Sequence, residues 1–152
     1  MAMDIQEAKE VESQKVVAGI IYSDDRKSVL VGRRAKGKPF AGKWEFIGGK
    51  VEKGERLDEA IKREVWEETL LGVLPLSPLG EARFTTSEGL DIDVTFFECD
   101  VRHGSLAEIN RNPKVHTSFR WVRIGDLPNM DWVGANADFA KWFVEYERKR
   151  LT

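Results

Sequence analysis

Apolar positions come in short β-branched or aromatic runs over much of the chain, and at helical spacing in two stretches. Val16–Tyr22 (VVAGIIY) is a continuous apolar run, the pattern of a strand buried on both faces. The polar turn SDDRKS follows, then VLVGRR (Val29–Arg34), so the two runs read as a hairpin. AKGKPFAGK, with Gly37, Pro39 and Gly42, reads as a loop. WEFIGGKVEKGE joins a short strand to a glycine-punctuated loop, and the spacing then predicts a helix from Leu57 to Leu71. Asp58 and Glu59 suit its first turn through the helix dipole. Glu55 and Arg56 stand where Ser, Thr, Asn or Asp usually cap a helix. A Pro-containing linker leads to LGEARFTT and to LDIDVTFFECDV, where Ile92, Val94 and Phe96 alternate with Asp91, Asp93 and Thr95. SLAEINRNPKVHTS reads as a loop, FRWVRI as a strand and IGDLPNMDW as a turn. ANADFAKWFVEYERKR reads as a terminal helix with Phe139, Phe143 and Tyr146 on one side. Strands on either side of a central helix, with a second helix at the end, predict an α/β fold with a mixed sheet between helices.

Composition narrows the class. The 152 residues are 41% apolar and 33% charged, which suits one soluble domain with a real core. The expected division is a polar N-terminal tail over 1–14 and a single domain over 15–152. A net charge of -2 makes a poor grip on long nucleic acid but leaves a single nucleotide open as ligand. No apolar run approaches the roughly 20 residues of a membrane span. The first residues lack the apolar core of a secretory signal, and a lone Cys99 can form no internal disulfide. The expected location is cytoplasmic.

The chemistry lies in REVWEETLLG (Arg63–Gly72), which carries Glu64, Glu67 and Glu68 within five residues. Glutamates at helical spacing usually form a wet face. Here projection at about 100° per residue sets Glu64 and Glu68 within roughly 20° of Leu57, on the stripe that Ala60 and Ile61 also define. Glu67 falls at one border of that stripe, and Trp66 projects nearly opposite. The acids thus replace the core face instead of opposing it. Like charges gathered there are costly unless something positive joins them. Arg63 offsets part, and a divalent cation such as Mg2+ or Mn2+ fits hard carboxylate donors. Phosphates, which complete such a coordination shell, are then the substrate class, and the nearby IGGKVEKGE adds flexible backbone and Glu55.

These residues resemble the Nudix box: Gly, five residues, Glu, seven residues, then Arg-Glu-aliphatic-any-Glu-Glu-any-Gly-aliphatic. Gly49, Glu55, Arg63, Glu64, Val65, Glu67 and Glu68 fill its positions. Leu70 stands where the family usually has Gly, with Gly72 displaced, so a shift of the helix exit by a residue or two is expected. VGRRA, GKWEFIGGKVEKGE and FRWVRIGDLP are similar to the MutT-like branch, and the resemblance runs from about Val16 to Phe143. It implies a Nudix-type α/β/α sandwich and a small-molecule nucleotide substrate, with monomer and homodimer both open.

The activity implied is metal-dependent hydrolysis of a nucleoside triphosphate, an oxidised one included, to the monophosphate and pyrophosphate. The alternatives are hydrolysis of another nucleoside diphosphate derivative, such as a nucleotide sugar or dinucleotide, and a non-catalytic nucleotide sensor. The resemblance assigns the metal to Glu64, Glu67, Glu68 and the backbone carbonyl of Gly48. It makes Glu64 a candidate base, Arg63 the residue that orients the acids and Glu55 a support of the metal shell. It brings Arg34 to the phosphates, Asn136 to the base and Phe46 to the base pocket. Asn136 equally fits the N-cap of the terminal helix, and the two readings are compatible. Relatives often carry Glu-His before the late strand, where this chain has Val115-His116; Glu108 is a candidate replacement for that acid, and His116 reads as a loop or pocket residue. Trp44, Trp121 and Trp142 read as packing, Trp132 as packing or a base stack, Trp66 as partly exposed or covered by the N-terminal tail, and Cys99 as a small hydrophobe.

Overall fold

Val17, Ile20 and Ile21 are fully buried, as a continuous apolar run in a central strand requires. The computed structural model describes residues 13–104 and 116–151. Their strands are β1 (Gln14–Ile21), β2 (Ser28–Arg34), β3 (Trp44–Lys50), β4 (Gly72–Thr85), β5 (Asp91–His103) and β6 (His116–Arg123). Helix α1 spans Leu57–Thr69, a 3-10 helix spans Ile124–Asn129, and α2 spans Asn136–Leu151. The strands form one sheet in the order β4-β5-β1-β3-β2-β6, in which only β1 and β5 run parallel.

Residue alternation gives the sheet two cores. On one face Val17, Ile21, Leu30 and Ile47 pack with Ala60, Ile61 and Val65 of α1. On the other, Ala18, Ile20, Val31 and Phe46 pack with Phe139, Ala140 and Phe143 of α2. The helices therefore cover opposite faces, and the expected α/β/α sandwich is the observed one. Among the described residues no helix is long and apolar enough to cross a membrane.

Three local expectations are corrected. The β1–β2 hairpin exists only at its turn, where Tyr22 bridges Val29 and the Ser23 amide donates to the Ser28 carbonyl at 2.9 Å. Beyond it the strands part, and β3 inserts between them, with Val17 opposite Gly49 and Ala18 opposite Gly48. Gly48 permits this approach, because a Cβ there would collide with the Val17 carbonyl. The segment read as a Pro-containing linker is the first half of β4. It tolerates Pro75 and Pro78 because β4 is an edge strand, and its register shifts around both prolines. Helix α1 ends at Thr69, not Leu71, and its exit is not displaced. Leu70 itself adopts the left-handed conformation, φ 59°, with its amide donating to the Trp66 carbonyl. A Cβ-bearing residue there costs about 1 kcal/mol.

At the other end of α1, Arg56 occupies the cap and contributes no side-chain acceptor. The Glu59 carboxylate instead accepts the Arg56 amide at 3.1 Å, half of a capping box. The segment IGDLPNMDW, read as a turn, contains the 3-10 helix. Trp132 is buried and stacks on Phe46 at 4.7 Å, with its indole N–H donating to the Leu127 carbonyl, so it is core and not an open stacking surface. Trp142 is 45% exposed against Tyr146 instead of packed inside, whereas Trp66 is exposed as expected. Cys99 is buried, and burial pushes its thiol up to about 12.

Candidate active site

Helix α1 turns its first half into the core and its second half toward β3. Ala60, Ile61 and Val65 are fully buried, and Glu64 continues the same face beneath Gly49. A Cβ on Gly49 would collide with the Glu64 carboxylate, so this glycine is what lets acid and strand meet. Arg63 gathers the neighbouring charges. Its guanidinium donates to Glu55 at 2.8 and 3.0 Å, to Glu64 at 2.9 Å, to Glu67 at 3.2 Å and to the Lys50 carbonyl at 2.9 Å. The hydrogen bonds from Arg63 hold Glu55 below its ordinary carboxylate range. Glu64 lies above that range, because burial outweighs the same arginine. The carboxylates in turn raise the Arg63 guanidinium, Glu55 first.

Glu68 stands apart from this hub. It is 4% exposed, and its Oε2 lies 3.0 Å from Nδ1 of His116, which is itself buried. Burial raises the Glu68 carboxyl, with His116 offsetting part. Burial also opposes charge on His116, but Glu45 and Glu68 overcome it and lift the imidazole to about 9. The ring has room because Gly32 faces it: a Cβ there would come within 2.7 Å of the imidazole. From His116 the contacts continue to Glu45, whose Oε2 lies 3.6 Å from Nε2 and 3.2 Å from Arg34. Arg34 also donates to the Pro39 carbonyl at 3.1 Å.

Beside these charges lies a cavity of about 540 Å³. Arg34, Glu45, Phe46, Gly48 and Asn136 all line it, with Phe40 at 60% exposure also on its wall. Asn136 opens α2 but does not cap it. Its Oδ1 accepts the Phe46 amide across the cavity wall at 3.4 Å, and its Nδ2 donates to the Val133 carbonyl at 2.6 Å. Phe46 serves both as core and as lining, being 2% exposed.

The expected site residues thus meet around one cavity and one helix face, with a correction to the acid trio. Among the described residues, no three acidic, histidine or cysteine side chains are gathered closely enough to hold a metal ion. Glu64 and the exposed Glu67 turn to Arg63 while Glu68 turns to His116, each carboxylate drawn to its nearest cation. The donors nevertheless suit a hard divalent cation in kind. They are carboxylate oxygens, and burial raises two of them. His116 proves to be the first residue of β6, not a loop residue, and Glu108 lies outside the described residues. Sequence reasoning missed Glu45 altogether; its one signal was a lone acid inside the apolar run of β3.

A model of the NUDIX domain matches residues 13–143. The oxidized purine nucleoside triphosphate hydrolase of Danio rerio is 34% identical over 126 residues, covering 81% of this chain and 74% of that protein. The nucleoside triphosphatase NudI of Escherichia coli O139:H28 is 30% identical over 105 residues, covering 60% of this chain and 70% of that protein. A solved structure of a MutT protein from Methanosarcina mazei Go1 matches with a TM-score of 0.77 at 25% identity, covering 94% of this chain and 99% of that one. The chain therefore belongs to the NUDIX family, as a MutT-like Nudix hydrolase.

Proposed function

We propose that the protein hydrolyses nucleoside triphosphates, oxidised purine forms among them, to the monophosphate and pyrophosphate. The observation that carries this reading is the meeting of the acid-bearing face of α1 with a nucleotide-sized cavity along β3. The names of the zebrafish and bacterial relatives support the same substrate class.

In this reading Glu64, Glu67, Glu68 and the Gly48 carbonyl hold a divalent cation, Mg2+ or Mn2+. Such a cation supplies charge neutralisation on phosphoryl oxygens and a more acidic bound water. Arg63 keeps Glu64 aimed along the Gly49 face while Glu55 holds Arg63 from the other side. Glu64 takes the proton of the attacking water. Arg34 donates to phosphate oxygens, and Asn136 with Phe46 positions the base at the cavity wall.

The test is a panel of normal and oxidised deoxynucleoside triphosphates, nucleotide sugars and dinucleotides with Mg2+ or Mn2+, with pyrophosphate and free phosphate measured separately. Pyrophosphate plus monophosphate from a triphosphate is the expected result. Two monophosphate products from a sugar or dinucleotide at a higher rate would move the protein to another diphosphate substrate. No turnover of any of them would reject the hydrolase reading.

A further inference from the structure

Four charged side chains stand in contact order from helix α1 to the end of β2. Glu68 Oε2 lies 3.0 Å from Nδ1 of His116, and Nε2 of His116 lies 3.6 Å from Glu45 Oε2. That same Glu45 oxygen accepts a hydrogen bond from Arg34 at 3.2 Å. The sheet brings them to one face. Phe46 packs on the α2 side, so its neighbour Glu45 points to the α1 side. Gly32 pairs with Glu45 of β3, and Arg34 pairs with His116 of β6. The missing Cβ of Gly32 lets the imidazole lie over β2 and reach both acids.

The two middle members are each shared. His116 stands between two carboxylates, and among the described residues it is the one cation in an ion pair with Glu68, because Arg63 serves Glu55, Glu64 and Glu67. Glu45 Oε2 is divided between Arg34 and His116. An oxygen divided between two cations holds each less firmly than it would hold one alone. Taking Arg34 away therefore strengthens the hold of Glu45 on His116. The ring is rigid, so closing the 3.6 Å gap to Glu45 draws Nδ1 away from Glu68. The imidazole is buried, and the low local dielectric keeps these exchanges from being screened by water.

We propose that His116 and Glu45 are positioning residues that link the phosphate end of the site to its cation end. With Arg34 on Glu45, His116 holds Glu68. A phosphate that draws Arg34 off Glu45 leaves Glu45 to His116, and His116 then releases Glu68 to the cation. The inference rests on the proposed hydrolase, in which Arg34 meets phosphate and Glu68 meets the cation. It goes beyond that reading because neither middle residue is there given a contact with either ligand.

Arg34→Ala imitates an arginine withdrawn by phosphate. Mn2+ affinity is measured on the full chain without nucleotide, by electron paramagnetic resonance. The proteins are wild type, Arg34→Ala, His116→Gln, Glu45→Gln and the two doubles that combine Arg34→Ala with each middle variant. The field of Arg34 also reaches the Glu68 carboxyl directly, and its loss acts alike in every background. The linked part needs both middle residues. Arg34→Ala is expected to tighten Mn2+ binding at least about threefold more in wild type than in either His116→Gln or Glu45→Gln. Where melting curves show that one middle variant does not fold, the other decides. Equal tightening in all backgrounds, or no tightening in wild type, would overturn the inference and leave the hydrolase reading to its own test of pyrophosphate release. Wild-type protein that binds no Mn2+ would reject the inference together with the cation site.

Discussion

Among the described residues, charge is buried in two places, and the two are treated differently. Near α2, Glu147 is 4% exposed and takes the Tyr22 hydroxyl as one donor and Arg150 as another at 3.1 Å. Arg150 lies 3.9 Å from Glu98, which Arg26 also pairs at 2.6 Å, so acids and cations match one for one. At α1 a single Arg63 serves Glu55, Glu64 and Glu67, and Glu68 is left with a histidine that it shares with Glu45. Among the described residues, Glu68 Oε2 and Nδ1 of His116, 3.0 Å apart, have only each other, and Nε2 of His116 has only Glu45 at 3.6 Å. A network whose task is to hold a helix is closed. A network left with surplus negative charge is shaped for something that arrives from outside.

The largest expected break in this contrast is at Glu64. Glu64→Gln is expected to lower kcat by about 10²- to 10⁴-fold, with a melting temperature no lower than wild type, since a raised carboxylate is removed. Steady-state kinetics and calorimetric melting on the same preparation check both halves. The reverse pattern is expected at the closed network. Glu147→Ala leaves Tyr22 and Arg150 without their acid and is expected to cost about 2 kcal/mol of stability, with turnover per folded molecule unchanged. Urea denaturation paired with an activity titration would expose any deviation.

A smaller effect follows from the histidine. His116 is raised in the folded protein from 6.5 to about 9, so its stabilising contribution is complete below about 6.5 and disappears as pH rises through about 9. Glu64 and Glu68 are also raised, so their destabilising contribution is full at neutral pH and is relieved as pH falls toward 4.5. In chelator-treated protein the melting temperature is expected to drop on the alkaline side, and His116→Gln to flatten that limb. A wild-type curve level across the alkaline window would remove the charged pairing from the picture. The smallest effect concerns Leu70, which lies outside both networks. Leu70→Gly is expected to stabilise by about 0.5 kcal/mol, the left-handed strain relieved less the extra freedom of glycine in the unfolded chain. Equal or lower stability in urea would show that Leu70 packs better than its 46% exposure implies.

What the sequence disclosed was local. The two helices, the buried run of β1 and the inward turn of Glu64 and Glu68 were legible because period and projection act over a few residues. The insertion of β3 was not, since proximity in sequence favours the simple β1–β2 pairing. Only the clash that a side chain on Gly48 would make with Val17 shows why a third strand fits between them. The prolines of β4 read as a break because an edge position cannot be known before the sheet is assembled. Glu45, and the pairing of His116 with it, escaped for a related reason. They come together only through Gly32, which pairs with Glu45 across β3 and whose missing Cβ admits the imidazole.

The walls of the cavity have one further consequence. Residues 84–87 at the β4–β5 turn and 133–136 at the start of α2 form much of its rim, outside the helix that bears the acids. In the proposed reading, mutation redraws what enters without touching the helix assigned to the chemistry. A lineage built on this plan would then change its diet by exchanging two short peripheral segments, with the acid-bearing helix inherited intact.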